Sequence, residues 1–115
     1  MAPGPEKKVK DKIRQTLQEF GAYSFMPVSS GHGTHGIGDV VACYKGFFIS
    51  IEAKATPQQK PSQLQILNAR KVTAAGGCVL LIHCDNIEVV RDTLVSVDNG
   101  VRPPYVWPDL LDEVV

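Results

Sequence analysis

The chain has 115 residues, is 43% hydrophobic and 21% charged, and balances its acidic and basic side chains to no formal net charge. That length suits one domain around one core, the composition excludes a disordered or low-complexity chain, and no apolar run reaches the ~20 residues of a membrane span. The neutrality is uneven: residues 1–71 carry ten Lys and Arg against five Asp and Glu, whereas residues 72–115 carry two against seven. One part of the molecule is therefore suited to phosphate and the other is not. No signal-peptide apolar region opens the chain, and Cys43, Cys78 and Cys84 form an odd set within strand-like runs. They read as buried, reduced thiols of a cytoplasmic protein.

Residues 1–5 form a loose leader. From Glu6 to Phe20 the apolar positions Val9, Ile13, Leu17 and Phe20 recur at helical spacing, and Gly21 supplies a left-handed stop. This first helix carries Lys7, Lys8, Lys10, Lys12 and Arg14, which serve equally as a solvated face or as phosphate contacts. Ala22 to Val28 reads as a strand that Pro27 confines to an edge or an end. Ser29 to Gly38 is a glycine-dense loop holding His32 and His35. With Asp39 or Cys43 these imidazoles could begin a zinc site, but no second cluster completes a tetrahedron, so metal ligation is not the expectation.

The segment Gly36–Lys54 concentrates the chemistry. Asp39 to Tyr44 and Phe47 to Ala53 are β-prone runs separated by Lys45-Gly46, which predicts a two-residue hairpin. That register pairs Tyr44 with Phe47, Ala42 with Ile49 and Val40 with Ile51, and sets Asp39 opposite Glu52. Side chains alternate between faces, so Val40, Ala42, Tyr44, Phe47, Ile49, Ile51 and Ala53 make a wholly apolar side that needs a helix over it. Asp39, Val41, Cys43, Phe48, Ser50, Glu52 and Lys54 share the other. A bulged three-residue turn would instead set Asp39 opposite Ile51.

Like charges opposite one another on a sheet, with Cβ atoms about 5 Å apart, repel and call for a cation between them. A hard divalent ion that takes one or two carboxylates and keeps several waters, such as Mg²⁺, meets that need. Lys54, two residues along the same face, could then hold an attacking water or neutralise charge on a phosphate. The plain alternative is a solvated ion pair between Glu52 and Lys54.

Beyond Lys54 the prolines of Ala55 to Pro61 mark a loop. Ser62 then caps a second helix that runs to about Ala75 and stops at Gly76-Gly77, with Gln65 placed for a capping box. A Gln65 turned back to Ser62 is a cap; one turned to the sheet could serve a metal-bound water or phosphate. The run CVLLI, Cys78 to Ile82, reads as a buried central strand joined by a right-handed crossover. His83, at its end, reads as structural. Asp85 with Glu88 can cap a further helix through Leu94, although the valines there leave a strand open. Pro103-Pro104 breaks the chain, and Trp107 with Leu110, Leu111, Val114 and Val115 docks on the core or on a second subunit.

The pattern GIGD followed by IEAK resembles the PD-(D/E)xK nuclease superfamily, with Asp39 and Glu52 as its acids and Lys54 as its lysine. The likeness extends over Glu6 to Ile82 and is nearest to the small stand-alone VRR-type nucleases of phages and bacteria. Gly38 departs from it, standing where the family's proline precedes the first acid. The resemblance implies a restriction-endonuclease-like α/β fold: an α-β-β-β-α-β core in residues 6–82, a small mixed sheet flanked by helices, and an extension over residues 83–115 that could form a dimer contact.

It further implies a DNA endonuclease selective for branched, flap or nicked substrates in replication, repair or recombination, working in the host cytoplasm if phage-encoded. In that reading Asp39, Glu52, the Ala53 carbonyl and Glu6 bind Mg²⁺, which Mn²⁺ could replace, while Lys54 and Gln65 assist the chemistry. Asp11 and Glu19 are rivals for the role of Glu6. Lys8, Lys12, Lys60, Gln63, His32 and His35 would contact nucleic acid, and a homodimer would place two sites on one DNA. The competing expectations are an inert nucleic-acid-binding module with this fold and a structural metal protein built on His32 and His35.

Overall fold

A computed structural model describes residues 4–28 and 36–101. The first helix, α1 (Pro5–Phe20), starts with Pro5 in its first turn and ends at Gly21, whose φ of 76° supplies the left-handed cap. Strand β1 (Tyr23–Phe25) leads through the glycine-rich segment to β2 (Val40–Tyr44) and β3 (Phe47–Ala53). Helix α2 (Gln63–Ala74), β4 (Cys78–Ile82) and α3 (Glu88–Asp98) complete the order. The four strands lie as β1-β2-β3-β4, antiparallel except for the parallel pair β3-β4 that α2 connects.

The hairpin adopts the two-residue register: Tyr44 pairs with Phe47, Ala42 with Ile49 and Val40 with Ile51. Its turn requires positive φ at both central residues. Lys45 accepts 49° and Gly46 takes 82°. Lys45 and the Tyr44 hydroxyl both bond to Asp98 at the end of α3, with Tyr44 Oη donating at 2.7 Å, so the tip of the hairpin is latched to a helix. Those contacts hold the Asp98 carboxyl below its ordinary pKa, first through Lys45 and then through Tyr44.

The register divides the sheet as alternation demands. On one side Val40, Ala42, Tyr44, Ile49, Ile51 and Ala53 join Cys78, Leu80 and Ile82 beneath Val9, Ile13 and Leu17 of α1 and Val90 and Leu94 of α3. On the other, Ile66, Ala69 and Val72 of α2 cover Val79 and Leu81. Cover on both faces explains the unbroken apolar run of β4. That run made β4 look central, yet it is an edge strand of the described sheet; apolar helices, not flanking strands, supply its burial.

Three other expectations change. Cys43 and Cys84 are exposed, and only Cys78 is buried. Cys43 lies in register between Tyr23 and Phe48 on the α2 side of the sheet; α2 packs over β4, and Tyr23, Phe25 and Phe48 on that side are also largely exposed. The segment after Asp85 is a helix, but it begins at Glu88 with no side-chain cap. Asn86 anchors the connection instead, accepting from the His83 amide at 2.7 Å and donating to the Leu81 carbonyl at 3.0 Å. The core also passes beyond Ile82, because α3 inserts Val90 and Leu94 into it. Trp107 and the residues expected to dock with it lie outside the described residues.

If α3 is integral to the core, Leu94→Ala should destabilise the protein by about 2–5 kcal/mol, since Leu94 is fully buried. Denaturant unfolding checks this, and a loss below ~1 kcal/mol would make α3 peripheral.

Candidate active site

The strand register puts Glu52 on the α2 side of the sheet and brings Asp39 beside it at the entrance to β2. Asp39 stands one residue before β2, which places it opposite Glu52 when the pairing of Val40 with Ile51 is continued. Its Oδ2 accepts the Ala53 amide at 2.8 Å. Lys54 donates its own amide to Ile82 on the opposite edge of β3. Because the N–H and C=O of one strand residue point to the same edge, the Ala53 carbonyl lies on the Asp39 side.

Glu52 is 5% exposed. Burial, then the hydrogen-bonded and charged Asp39 carboxyl beside it, push its pKa up to about 9, against a smaller opposing effect of Lys54. Burial and Asp39 thus favour the neutral form of Glu52, in which the two acids do not repel. A donor from α2 meets the same carboxyl: Gln65 Nε2 reaches Glu52 Oε1 at 2.7 Å.

Gln65 caps its helix and also turns its carboxamide to the sheet. Its amide nitrogen donates to Ser62 Oγ at 3.2 Å, and its Oε1 accepts from the Ser62 amide at 2.8 Å, closing a capping box. The same Oε1 accepts from Lys54 Nζ at 3.2 Å. Its carboxamide thus links the start of α2 to both Glu52 and Lys54. No ion pair joins those two residues directly among the described residues, so the solvated-pair alternative does not describe them.

Helix α1 brings a third carboxyl and a cation. Lys10 Nζ lies 3.5 Å from Glu6 Oε2 and 3.6 Å from Asp39 Oδ1. Burial works to lower the Lys10 pKa, but Asp39 and Glu6 outweigh it and hold the ammonium above its ordinary value. Of the candidate acids on the first helix, Glu6 is the one drawn towards Asp39; Asp11 pairs with Lys7 and Glu19 with Arg91. Lys10 was not singled out from its lysine-rich run. Its signal was the i,i+4 spacing to Glu6, which has no meaning for the site until the helix is docked.

Lys8 and Lys12 line a shallow groove with Val9, Ala55 and Cys84, immediately past Lys54. Lys60 and Gln63 are exposed around the start of α2. His32 and His35 lie outside the described residues. Among the described residues no cluster of three or more His, Cys, Asp or Glu side chains forms a ready-made metal cage.

Two close approaches shape the mouth. A Cβ on Gly38 would lie 2.4 Å from Ser50 Oγ and 3.0 Å from the Ile51 carbonyl oxygen; one on Gly36 would lie 2.3 Å from the Leu64 carbonyl oxygen. Gly36 is thereby pressed against the first turn of α2 and Gly38 against β3. This also accounts for glycine where the resembling family has proline, as a ring at position 38 would collide with β3.

No family model matches the sequence, and no curated protein sequence matches it significantly. Structure comparison does find a likeness. A VRR_NUC domain of known structure is similar with a TM-score of 0.65 over 84% of this chain and 97% of its own, at 15% sequence identity. The chain therefore has the restriction-endonuclease-like fold of VRR_NUC domains, with its four-stranded mixed sheet and flanking helices. No helix among the described residues is long and apolar enough to cross a membrane.

Two outcomes follow from this geometry. Between pH 4.5, the ordinary value for Glu52, and about 9, its folded value, the native state holds a proton that the unfolded chain has released. Metal-free stability should accordingly fall as pH rises through that window, and the slope should flatten in Glu52→Gln. Thermal melts in EDTA across pH 5–9 measure it; equal slopes in the two proteins would contradict the proton on Glu52. Gly38→Ala should cost about 1–3 kcal/mol by overpacking, seen as a lowered denaturation midpoint. A neutral result would show that β3 yields to the added methyl.

Proposed function

We propose that this protein is a Mg²⁺-dependent deoxyribonuclease that cuts phosphodiester bonds internally. The observation that carries the proposal is the pair of carboxyls, Asp39 and the buried Glu52, met on one sheet face by Lys54 and Gln65. Two carboxyls this close repel once both are ionised, and a hard cation with few protein ligands would relieve that repulsion without a preformed cage. Asp39, Glu52 and the Ala53 carbonyl would hold Mg²⁺, with Mn²⁺ able to replace it. When bound, the ion supplies Lewis-acid stabilisation of charge on the phosphoryl group and lowers the pKa of water.

The protein's own groups do the rest. Glu52 would serve as a ligand in its carboxylate form, its proton passing to solvent. Asp39, fixed through Oδ2 by the Ala53 amide, keeps its aim. Lys54 offers a cation to the attacking water or to the phosphate, and Gln65 holds that ammonium in position from a helix terminus that cannot swing. Lys8, Lys12, Lys60, Gln63, His32 and His35 are proposed to track the DNA backbone outside the site. We further propose branched, flap or nicked DNA as the substrate in replication, repair or recombination, and a homodimer that presents two sites to it. The exposed thiols of Cys43 and Cys84 would suit a reducing cytoplasm.

Labelled linear, flap and four-way DNA incubated with Mg²⁺, Mn²⁺, Ca²⁺ or EDTA test the proposal. Cleavage is expected with Mg²⁺ and Mn²⁺, and little or none with Ca²⁺, whose loose coordination does not fix the water. Lys54→Ala and Glu52→Gln should each reduce the rate by at least ~10²-fold with an unchanged circular dichroism spectrum. Wild-type turnover in Glu52→Gln would sink the assignment, and DNA binding without cutting under every metal would identify an inert binding module.

A further inference from the structure

We propose that Lys10 fills, with its own ammonium, the position a second divalent ion would take between Glu6 and Asp39, so that the site works with one divalent ion per chain. This rests on the metal-dependent reading above and adds to it the number of ions and the part played by α1.

The placement is specific. Lys10 lies one turn beyond Glu6 on α1, its neighbour Val9 and the following Ile13 are sealed into the core, and its side chain is only 23% exposed. The stem has little freedom to swing away. Its ammonium meets one oxygen from each of two acids that come from different elements, Glu6 Oε2 at 3.5 Å and Asp39 Oδ1 at 3.6 Å. The other Asp39 oxygen is committed to the Ala53 amide.

The charges agree with this division. Glu6, Asp39 and Glu52 together bring three negative charges when ionised. Lys10 and one divalent ion neutralise them, leaving Lys54 as the surplus cation for phosphate. A second divalent ion would have to expel a partly buried ammonium from two carboxylates and would overcharge the cluster. Glu6 on this view holds Lys10 and is not a metal ligand.

The test is a Mn²⁺ titration of the full chain, without DNA, read by calorimetry and by the electron paramagnetic resonance of free Mn²⁺. Wild type should bind one ion. Lys10→Met, which keeps the apolar stem and removes the charge, should bind two. Glu6→Gln should still bind one, with affinity within about threefold of wild type because Glu6 touches no proposed ligand directly, whereas Asp39→Asn, which removes a ligand charge, should weaken it more than about tenfold. Two ions on wild type, one on Lys10→Met, or a tenfold weakening in Glu6→Gln overturns the proposal. If circular dichroism shows Lys10→Met unfolded, the wild-type count and the Glu6→Gln affinity decide it. Binding of no ion by wild type overturns the metal-dependent reading as well, while two ions on wild type that Glu52→Gln weakens leave that reading standing and remove only this one.

Discussion

The site depends on two carboxyls that the backbone forces together. A two-residue turn at Lys45-Gly46 sets the pairing of β2 with β3, and that pairing alone decides that Asp39 comes opposite Glu52. A slip of one residue would reverse the faces of one strand relative to the other and carry an acid into the apolar layer. The turn asks a lysine to accept positive φ, an unfavourable conformation for a side chain with a Cβ. The latch of Tyr44 and Lys45 to Asp98 compensates locally. A contact at the far end of the hairpin thus helps to fix the alignment of the acids at its open end.

The two faces of the sheet are covered unequally. Helices α1 and α3 seal one face of the sheet with apolar side chains, while α2 covers only the β4 part of the other. The acids sit beside that partial cover, shielded enough to raise the pKa of Glu52 yet leaving the Asp39 side chain a quarter exposed. The glycines at 36 and 38 let the approaching chain lie against both β3 and the first turn of α2. Their lack of side chains makes the mouth narrow.

Much of this was legible in the sequence because it is encoded locally. The hairpin register follows from turn length, α1 from apolar spacing and a glycine stop, and the start of α2 from its capping box. The features that were not legible depend on how elements dock. The apolar run of β4 reports burial and cannot tell a neighbouring strand from a covering helix. Cys43 sits in a run as apolar as its neighbours, and only the limited reach of α2 leaves it exposed. Lys10 is one lysine among several until helix packing brings it to Asp39. The sequence leaves Gln65 as either a cap or a site residue, because linear order does not show that a single carboxamide reaches Ser62, Lys54 and Glu52 together.

That shared carboxamide limits how this position can change over evolutionary time. A capping box is satisfied by glutamate as well as by glutamine, so helix formation alone would let the two interchange freely. The site would not. Glutamate at 65 would retain the acceptor for Ser62 and Lys54 but lose the donor to Glu52, and would bring one more acid to a crowded cluster. The carboxamide thus answers to a neighbour on the sheet as well as to the helix it begins, and glutamate would satisfy only the second.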